Sequence, residues 1–259
     1  MEPDPHTAAH QPSSDDAEPL DVTVGRERAA RDRHLSVVMH EFRTPISSIK
    51  LNLELHERTA HQQGAVDAAT VVRFLEVSKR QLNRLSRMVD RLLDVAQVES
   101  DRLVLARERL DLCDLVEDAA ERLGAEASKA GCEFRLELDR PVEGCWDRLR
   151  LEQVTTNLIA NALKHGGPCL VTISVRRCDD GEAEMIVADE GGGIAEDDHH
   201  RIFEPFERAA SGSQQDGAGL GLYIVREIVA AHGGRVQVAS RRGAGAAFSV
   251  HVPTHAEEC

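Results

Sequence analysis

No stretch of this 259-residue chain approaches the roughly 20 apolar residues that a membrane-crossing helix needs. Its start, Met1-Glu2-Pro3-Asp4-Pro5-His6, lacks the basic-then-apolar order of a secretory leader. A cytoplasmic chain with no membrane span is the expectation. Positive charge is short as well: 31 Lys and Arg stand against 45 Asp and Glu, a formal net charge of −14. A nucleic-acid binder needs a basic face to meet phosphates, so that class is excluded. Cysteine is sparse and scattered. Cys113, Cys132, Cys145, Cys169, Cys178 and Cys259 form no Cys-x-x-Cys pair and no zinc-type spacing to the histidines, so six reduced thiols are expected. Internal repeats are also missing.

What is present suffices for folding: a hydrophobic content of 41% can bury a core, and the length suits one or two domains. Residues 1–24 are rich in Pro, Ser, Asp, Glu and Ala with almost no large apolar side chains, so they read as a disordered acidic tail. After a charged lead-in, apolar residues recur at Leu35, Val38, Phe42, Ile46, Ile49 and Leu53, one face of a helix. His61-Gln62-Gln63-Gly64 interrupts it. A second series, Leu75, Ser78, Leu82, Leu85, Val89, Leu92 and Ala96, alternates steps of three and four as a heptad seam does. Two such helices form a hairpin with more apolar surface than one copy buries, which predicts a homodimeric four-helix bundle over residues 25–100. Beyond it, strand-like runs at 133–138, 170–175, 184–188, 235–239 and 246–252 alternate with helical stretches at 112–127, 149–164 and 220–231. This predicts an α/β domain over 101–255 and an α+β chain overall.

Chemistry-bearing residues punctuate this frame in a fixed order. His40 lies about 200° around the helix from both Val38 and Phe42, so it faces solvent beside Glu41, with Thr44 one turn on and Pro45 in mid-helix. A neutral imidazole oriented by a carboxylate is a competent nucleophile toward phosphorus. A plain surface histidine on an amphipathic helix also fits, though Pro in mid-helix costs about 3 kcal/mol relative to Ala. Asn157, Asn161 and Lys164 share one helical face, with Leu158 and Ile159 turned inward; two carboxamides and an ammonium suit hydrated magnesium and phosphates, or a solvated polar face. Asp189-Glu-Gly191-Gly192-Gly193 ends a strand in a glycine turn. Its carboxylate suits an exocyclic amine such as that of adenine, and a simple hairpin turn is the alternative. Phe203 and Phe206 fasten either a lid or the core. After the polar run 209–216, Gly217-Ala-Gly219-Leu-Gly221 leads into a helix whose N-terminus and backbone donors suit phosphate. It is not a P-loop, which would end in Gly-Lys-Ser/Thr, and its place after a lid does not suit a dinucleotide fold.

Taken together, these segments resemble the catalytic core of a bacterial sensor histidine kinase of two-component signalling. His40–Pro45 is similar to the H box, Asn157–Asn161 to the N box, Asp189–Gly193 to the first glycine box, Phe203–Phe206 to the F box and Gly217–Gly221 to the second glycine box. The resemblance implies a dimerisation and phosphotransfer hairpin followed by a Bergerat-type two-layer ATP-binding sandwich. It implies that His40 takes the γ-phosphoryl group of ATP with Glu41 as base, that Asn161 ligates Mg2+, and that Asn157 and Lys164 hold phosphates. Asp189 would read the adenine amine, while Gly191, Gly193, Gly217, Gly219 and Gly221 shape the pocket, with Phe203 at the lid. Thr44 stands where the family orients water for dephosphorylating a partner. The implied partner is the receiver domain of a separate response regulator. Phe42 replaces the usual Leu, and His165 the commoner aromatic. Only 39 residues precede the H box, so the chain reads as the catalytic part of a longer sensor or as a soluble kinase with a separate sensory partner. Other enzymes of the same ATP fold that hydrolyse ATP usually carry Glu where Asn157 stands, and an amide cannot serve as that base.

Overall fold

The computed structural model describes residues 39, 42–59, 61, 67–99, 104–179, 181–207, 219–254 and 259. The tail, His40, Glu41, the hairpin loop and Gly217 lie outside the described residues.

Two helices come first. Helix α1 runs unbroken over 42–59, through a buried Pro45, and α2 over Ala68–Glu99. Asp67 caps α2: its side chain accepts from the Thr70 N–H at 2.9 Å and from the Thr70 hydroxyl at 2.6 Å. The His56 and Phe74 rings, with centroids 4.7 Å apart, join α1 to α2. The expected faces stay largely uncovered: Ile46, Leu53, Leu75, Leu82 and Val89 are all exposed.

From residue 104 onward the chain builds an α/β layer pair. Strand β1 (Glu108–Asp111) leads into α3 (Leu112–Ala130), then β2 (Glu133–Leu138), β3 (Glu143–Trp146), α4 (Arg148–His165), β4 (Leu170–Arg177) and β5 (Glu182–Asp189). Two short 3-10 turns, Glu196–Asp198 and Arg201–Phe203, precede α5 (Gly221–Ala231), β6 (Arg235–Ser240) and β7 (Ala246–Pro253). The main sheet has the order β2-β4-β5-β7-β6, parallel only between β2 and β4, while β1 and β3 pair apart from it. Alternation decides which face is dry. Val171, Ile173 and Val175 on β4, Met185 and Val187 on β5, and Phe248, Val250 and Val252 on β7 point into a core closed by Leu115 and Val116 of α3, Leu151, Val154, Leu158 and Ile159 of α4, and Ile224 and Ile228 of α5. Each large aliphatic side chain so buried contributes about 1.5–3 kcal/mol.

Two features depart from the sequence reading. Strands β1 and β3 are four residues each, too short and too charged or glycine-bearing to show a period. The second departure is a correction. Cys145 and Cys259 form a disulfide across 114 residues, with Cα atoms 5.6 Å apart, whereas Cys113, Cys132, Cys169 and Cys178 are free thiols. The Cys145 N–H donates to the Thr254 carbonyl at 3.0 Å, and the Trp146 indole N–H donates to the Pro253 carbonyl at 2.7 Å. These bonds lay the chain end beside β3, a proximity that no spacing rule reports.

Candidate functional site

Helix α4 supplies one wall. Asp147 caps it by accepting from the Arg150 N–H at 3.0 Å, and its second oxygen accepts from Ala106 at 2.9 Å. The Asp147 N–H in turn donates to His232 Nε2 at 3.1 Å, while His232 Nδ1 is 2.8 Å from the Ile228 carbonyl at the end of α5. That pattern puts the proton on Nδ1 and requires a neutral ring. Burial lowers the His232 pKa from its ordinary value, which agrees. The helix is thus held in rotation. Leu158 and Ile159 are fully buried, whereas Asn157 and Asn161, four residues apart, stay partly exposed on the opposite side. Lys164 is exposed at the C-terminal end.

Asp189 supplies the second wall from the end of β5. Its Oδ1 accepts from the Gly191 N–H at 2.8 Å, and burial raises its pKa while the N–H groups of Gly191 and Ala246 oppose the rise. The turn after it is locked by close backbone approach. A Cβ on Gly191 would lie 2.5 Å from the Gly166 Cα and from the His165 carbonyl oxygen, so the turn sits directly on the end of α4. Gly193 has φ +64, and a Cβ there would meet the Arg241 carbonyl oxygen at 1.9 Å. Ser240 completes the lock, accepting from the Ile194 N–H at 2.8 Å and donating to the Gly245 carbonyl at 2.6 Å.

The third side is the start of α5. Gly221 places its Cα hydrogens over Asn157, whose Oδ1 is 3.6 Å from the position a Cβ would take. The Phe206 N–H donates to the Gly219 carbonyl at 3.1 Å, which holds Phe206 against the start of α5. Phe203 lies in the core beneath, edge to face with Phe248 at 6.3 Å between ring centroids.

Of the residues expected from sequence, Asn157, Asn161, Asp189, Gly191, Gly193, Gly219 and Gly221 converge on this corner. Phe203 supports it from below, Lys164 is exposed at the end of α4, and Thr44 is exposed on α1. His232, Gly166, Ser240 and Gly245 were missed; their part depends on neighbours distant in the chain. The corner offers amide oxygens, a carboxylate, a helix N-terminus and glycine-lined backbone, a set suited to a purine, phosphates and a hard cation.

Comparison with known proteins agrees with that chemistry. Residues 30–101 match the His Kinase A (phospho-acceptor) domain family, and residues 146–256 match the histidine kinase-, DNA gyrase B- and HSP90-like ATPase family. The histidine protein kinase DivJ of Caulobacter vibrioides is 33% identical over 90% of this chain and 41% of its own. The chain spans about half the length of the curated relatives it matches. Among solved structures, full-length ShkA in complex with AMPPNP is 29% identical, with a TM-score of 0.65 over 88% of this chain and 47% of that one. Histidine kinase ThkA in complex with the response regulator protein TrrA is 25% identical, with a TM-score of 0.65 over 95% of this chain and 70% of that one.

Proposed function

This chain belongs to the bacterial sensor histidine kinases, whose catalytic core it carries, and we propose that it phosphorylates itself on His40 from ATP and passes the phosphoryl group to an aspartate of a response regulator. The observation that carries the reading is the convergence of the Asn157–Asn161 face, Asp189 and the Gly219–Gly221 helix start on one corner, through the Gly191–Gly166 and Gly221–Asn157 approaches. Asp189 accepts the adenine amine. Asn157 and Lys164 steady the phosphates, with backbone N–H groups at the start of α5. Gly217, outside the described residues, is assigned to the nucleotide site by the Gly217–Gly221 pattern alone.

Transfer forms a P–N bond to an imidazole nitrogen of His40 as the bond to the β-phosphate oxygen breaks, and ADP leaves. Glu41 takes the proton that the imidazole gives up. Magnesium uses few protein oxygens and keeps water and phosphate ligands; Asn161 is the residue that would hold it. When bound, the ion neutralises phosphate charge. Asn157 has no basic oxygen to activate water, which favours the imidazole over hydrolysis as acceptor.

Thr44, exposed one turn beyond His40, extends the reading to a water-directed dephosphorylation of the partner's aspartyl phosphate. The partner is a receiver domain, as the TrrA complex of ThkA suggests by analogy, and the working unit is a homodimer through α1 and α2. We place the phosphotransfer domain at 25–100 and the ATP-binding domain at 101–255. The latter limit is supported by β1, α3 and β2 packing into the same core as the matched segment. Among the described residues no helix is long and apolar enough to cross a membrane.

Incubation with γ-labelled ATP and magnesium tests the reading. The label should be acid-labile and alkali-stable, and absent in His40→Gln although that variant still binds nucleotide. Unlabelled wild-type protein with intact nucleotide binding would defeat it.

A further inference from the structure

The parallel pairing of β2 with β4 begins at Glu133 opposite Leu170, and the Glu133 N–H donates to the Cys169 carbonyl at 3.1 Å. One step outward along the same ladder, Cys132 stands beside Cys169. Adjacent strands lie about 4.8 Å apart, inside the Cα separation of about 4.4–6.8 Å that a disulfide requires. Both cysteines are free thiols, Cys132 buried and Cys169 partly exposed.

Their surroundings tie them to the corner that holds Asp189. The Cys132 thiol donates to the Gly167 carbonyl at 3.0 Å. The Cys169 sulfur lies against the Cys132 thiol and the backbone N–H of Glu190. It occupies space beside Gly166: a Cβ on that glycine would be 2.7 Å from the Cys169 sulfur and 3.3 Å from the Asp189 Cβ. Gly166 is also the residue on which the Gly191 turn rests.

We propose that Cys132 and Cys169 are a peroxide-oxidised thiol pair whose disulfide loosens the Asp189 corner and weakens nucleotide binding. A peroxide first oxidises the partly exposed Cys169 to a sulfenic acid, releasing water. The Cys132 sulfur then attacks the Cys169 sulfur, the S–S bond forms as the S–O bond of the sulfenic acid breaks, and its hydroxyl leaves with the Cys132 thiol proton as a second water. Two thiols are oxidised and one peroxide is reduced. The product removes the donor to Gly167 and draws the Cys169 sulfur from Glu190, so both the Gly166–Gly167 turn and the peptide after Asp189 lose a partner. Burial raises the Cys169 pKa. The first step is therefore slow, and the finished disulfide, with a poor leaving thiol, is slow to be reduced.

The consequence for nucleotide rests on the function proposed above, whereas the disulfide and the loosening do not. The full chain is treated with hydrogen peroxide, digested without reductant and mapped by mass spectrometry. Amide exchange over 166–169 and 189–191, and affinity for a fluorescent ATP analogue, are read on the same samples. Expected are a peptide linking Cys132 to Cys169, faster exchange in both segments, and an affinity about tenfold weaker, the size of one lost buried hydrogen bond. Dithiothreitol should reverse all three, and Cys132→Ser and Cys169→Ser should each remove the link and the peroxide response. Absence of the linked peptide, or a link with unchanged exchange, would overturn the proposal even with nucleotide binding intact. A link with faster exchange in a chain that never bound nucleotide would uphold the thiol pair and defeat the ATP reading instead.

Discussion

Asp189 carries two loads at the residue scale: it caps its own glycine turn and it faces the corner proposed for adenine. Burial holds its carboxyl above the ordinary range, and only part of that is offset by the N–H groups of Gly191 and Ala246. The ionised form therefore prevails only above that raised value. As pH falls through it, the acceptor for an amine is lost at a higher pH than an exposed aspartate would show, whose ordinary value is about 3.9. Stability runs the opposite way, because the fold favours the neutral acid: this group adds stability below the ordinary value and loses it as pH rises through the raised one. Titration of nucleotide affinity should show wild type weakening on acidification in a window that Asp189→Asn lacks, the variant being about tenfold weaker at neutral pH. The phosphate's own titration is common to both proteins and cancels. Parallel curves would remove Asp189 from the nucleotide contact.

Elements matter here through how they are anchored. Helix α4 presents Asn157 and Asn161 only because its N-terminus is fixed by Asp147, and Asp147 is fixed by the neutral ring of His232 from the end of α5. His232→Ala leaves the Asp147 N–H without its buried acceptor and should cost about 2 kcal/mol in denaturant unfolding. Since burial lowers the His232 pKa, the unfolded chain binds its proton first. Stability should fall as pH drops below about 6.5 toward the folded value, and His232→Gln should flatten that slope. An unaltered slope would assign the acid sensitivity to another group. The elements themselves were largely legible. β2 was found at its observed limits, and β4, β5, β6 and β7 within two residues of theirs; β4 and β7 alternate cleanly over a dry face. The three helices of the α/β layer carried clear periods. β1 and β3 were not legible, being short and lacking alternation. At the site, the asparagines, Asp189 and the glycines could be read because their chemistry is local. His232, Gly166, Ser240 and the Cys145–Cys259 bond could not, since each acts on a residue tens of positions away.

At the scale of the whole molecule, the hairpin of α1 and α2 is unfinished by itself. Ile46 is 52% exposed, Leu53 46%, Leu75 57% and Leu82 56%. Four large aliphatic side chains at helical spacing, each left about half in water, forgo about half of the 1.5–3 kcal/mol that full burial brings, which argues for a partner face of the same kind. The seam does not run free along its full length: Leu92, farther along α2, packs against the core of the α/β layers. Pairing between copies therefore falls to the layers of Leu75 and Leu82, nearer the loop. Leu75→Asp with Leu82→Asp puts four carboxylates into the seam of a dimer. At a loss of about 2–5 kcal/mol per buried leucine, dissociation should rise by at least about a thousandfold. In sedimentation at micromolar concentration the wild type should run as a dimer and the double variant as a monomer. Neither residue belongs to the α/β core, so nucleotide binding should persist in the monomer, which separates loss of pairing from loss of fold. A double variant that stays dimeric would move the interface to another face of the hairpin. A wild type that is monomeric would leave the exposed leucines without the partner that their spacing demands.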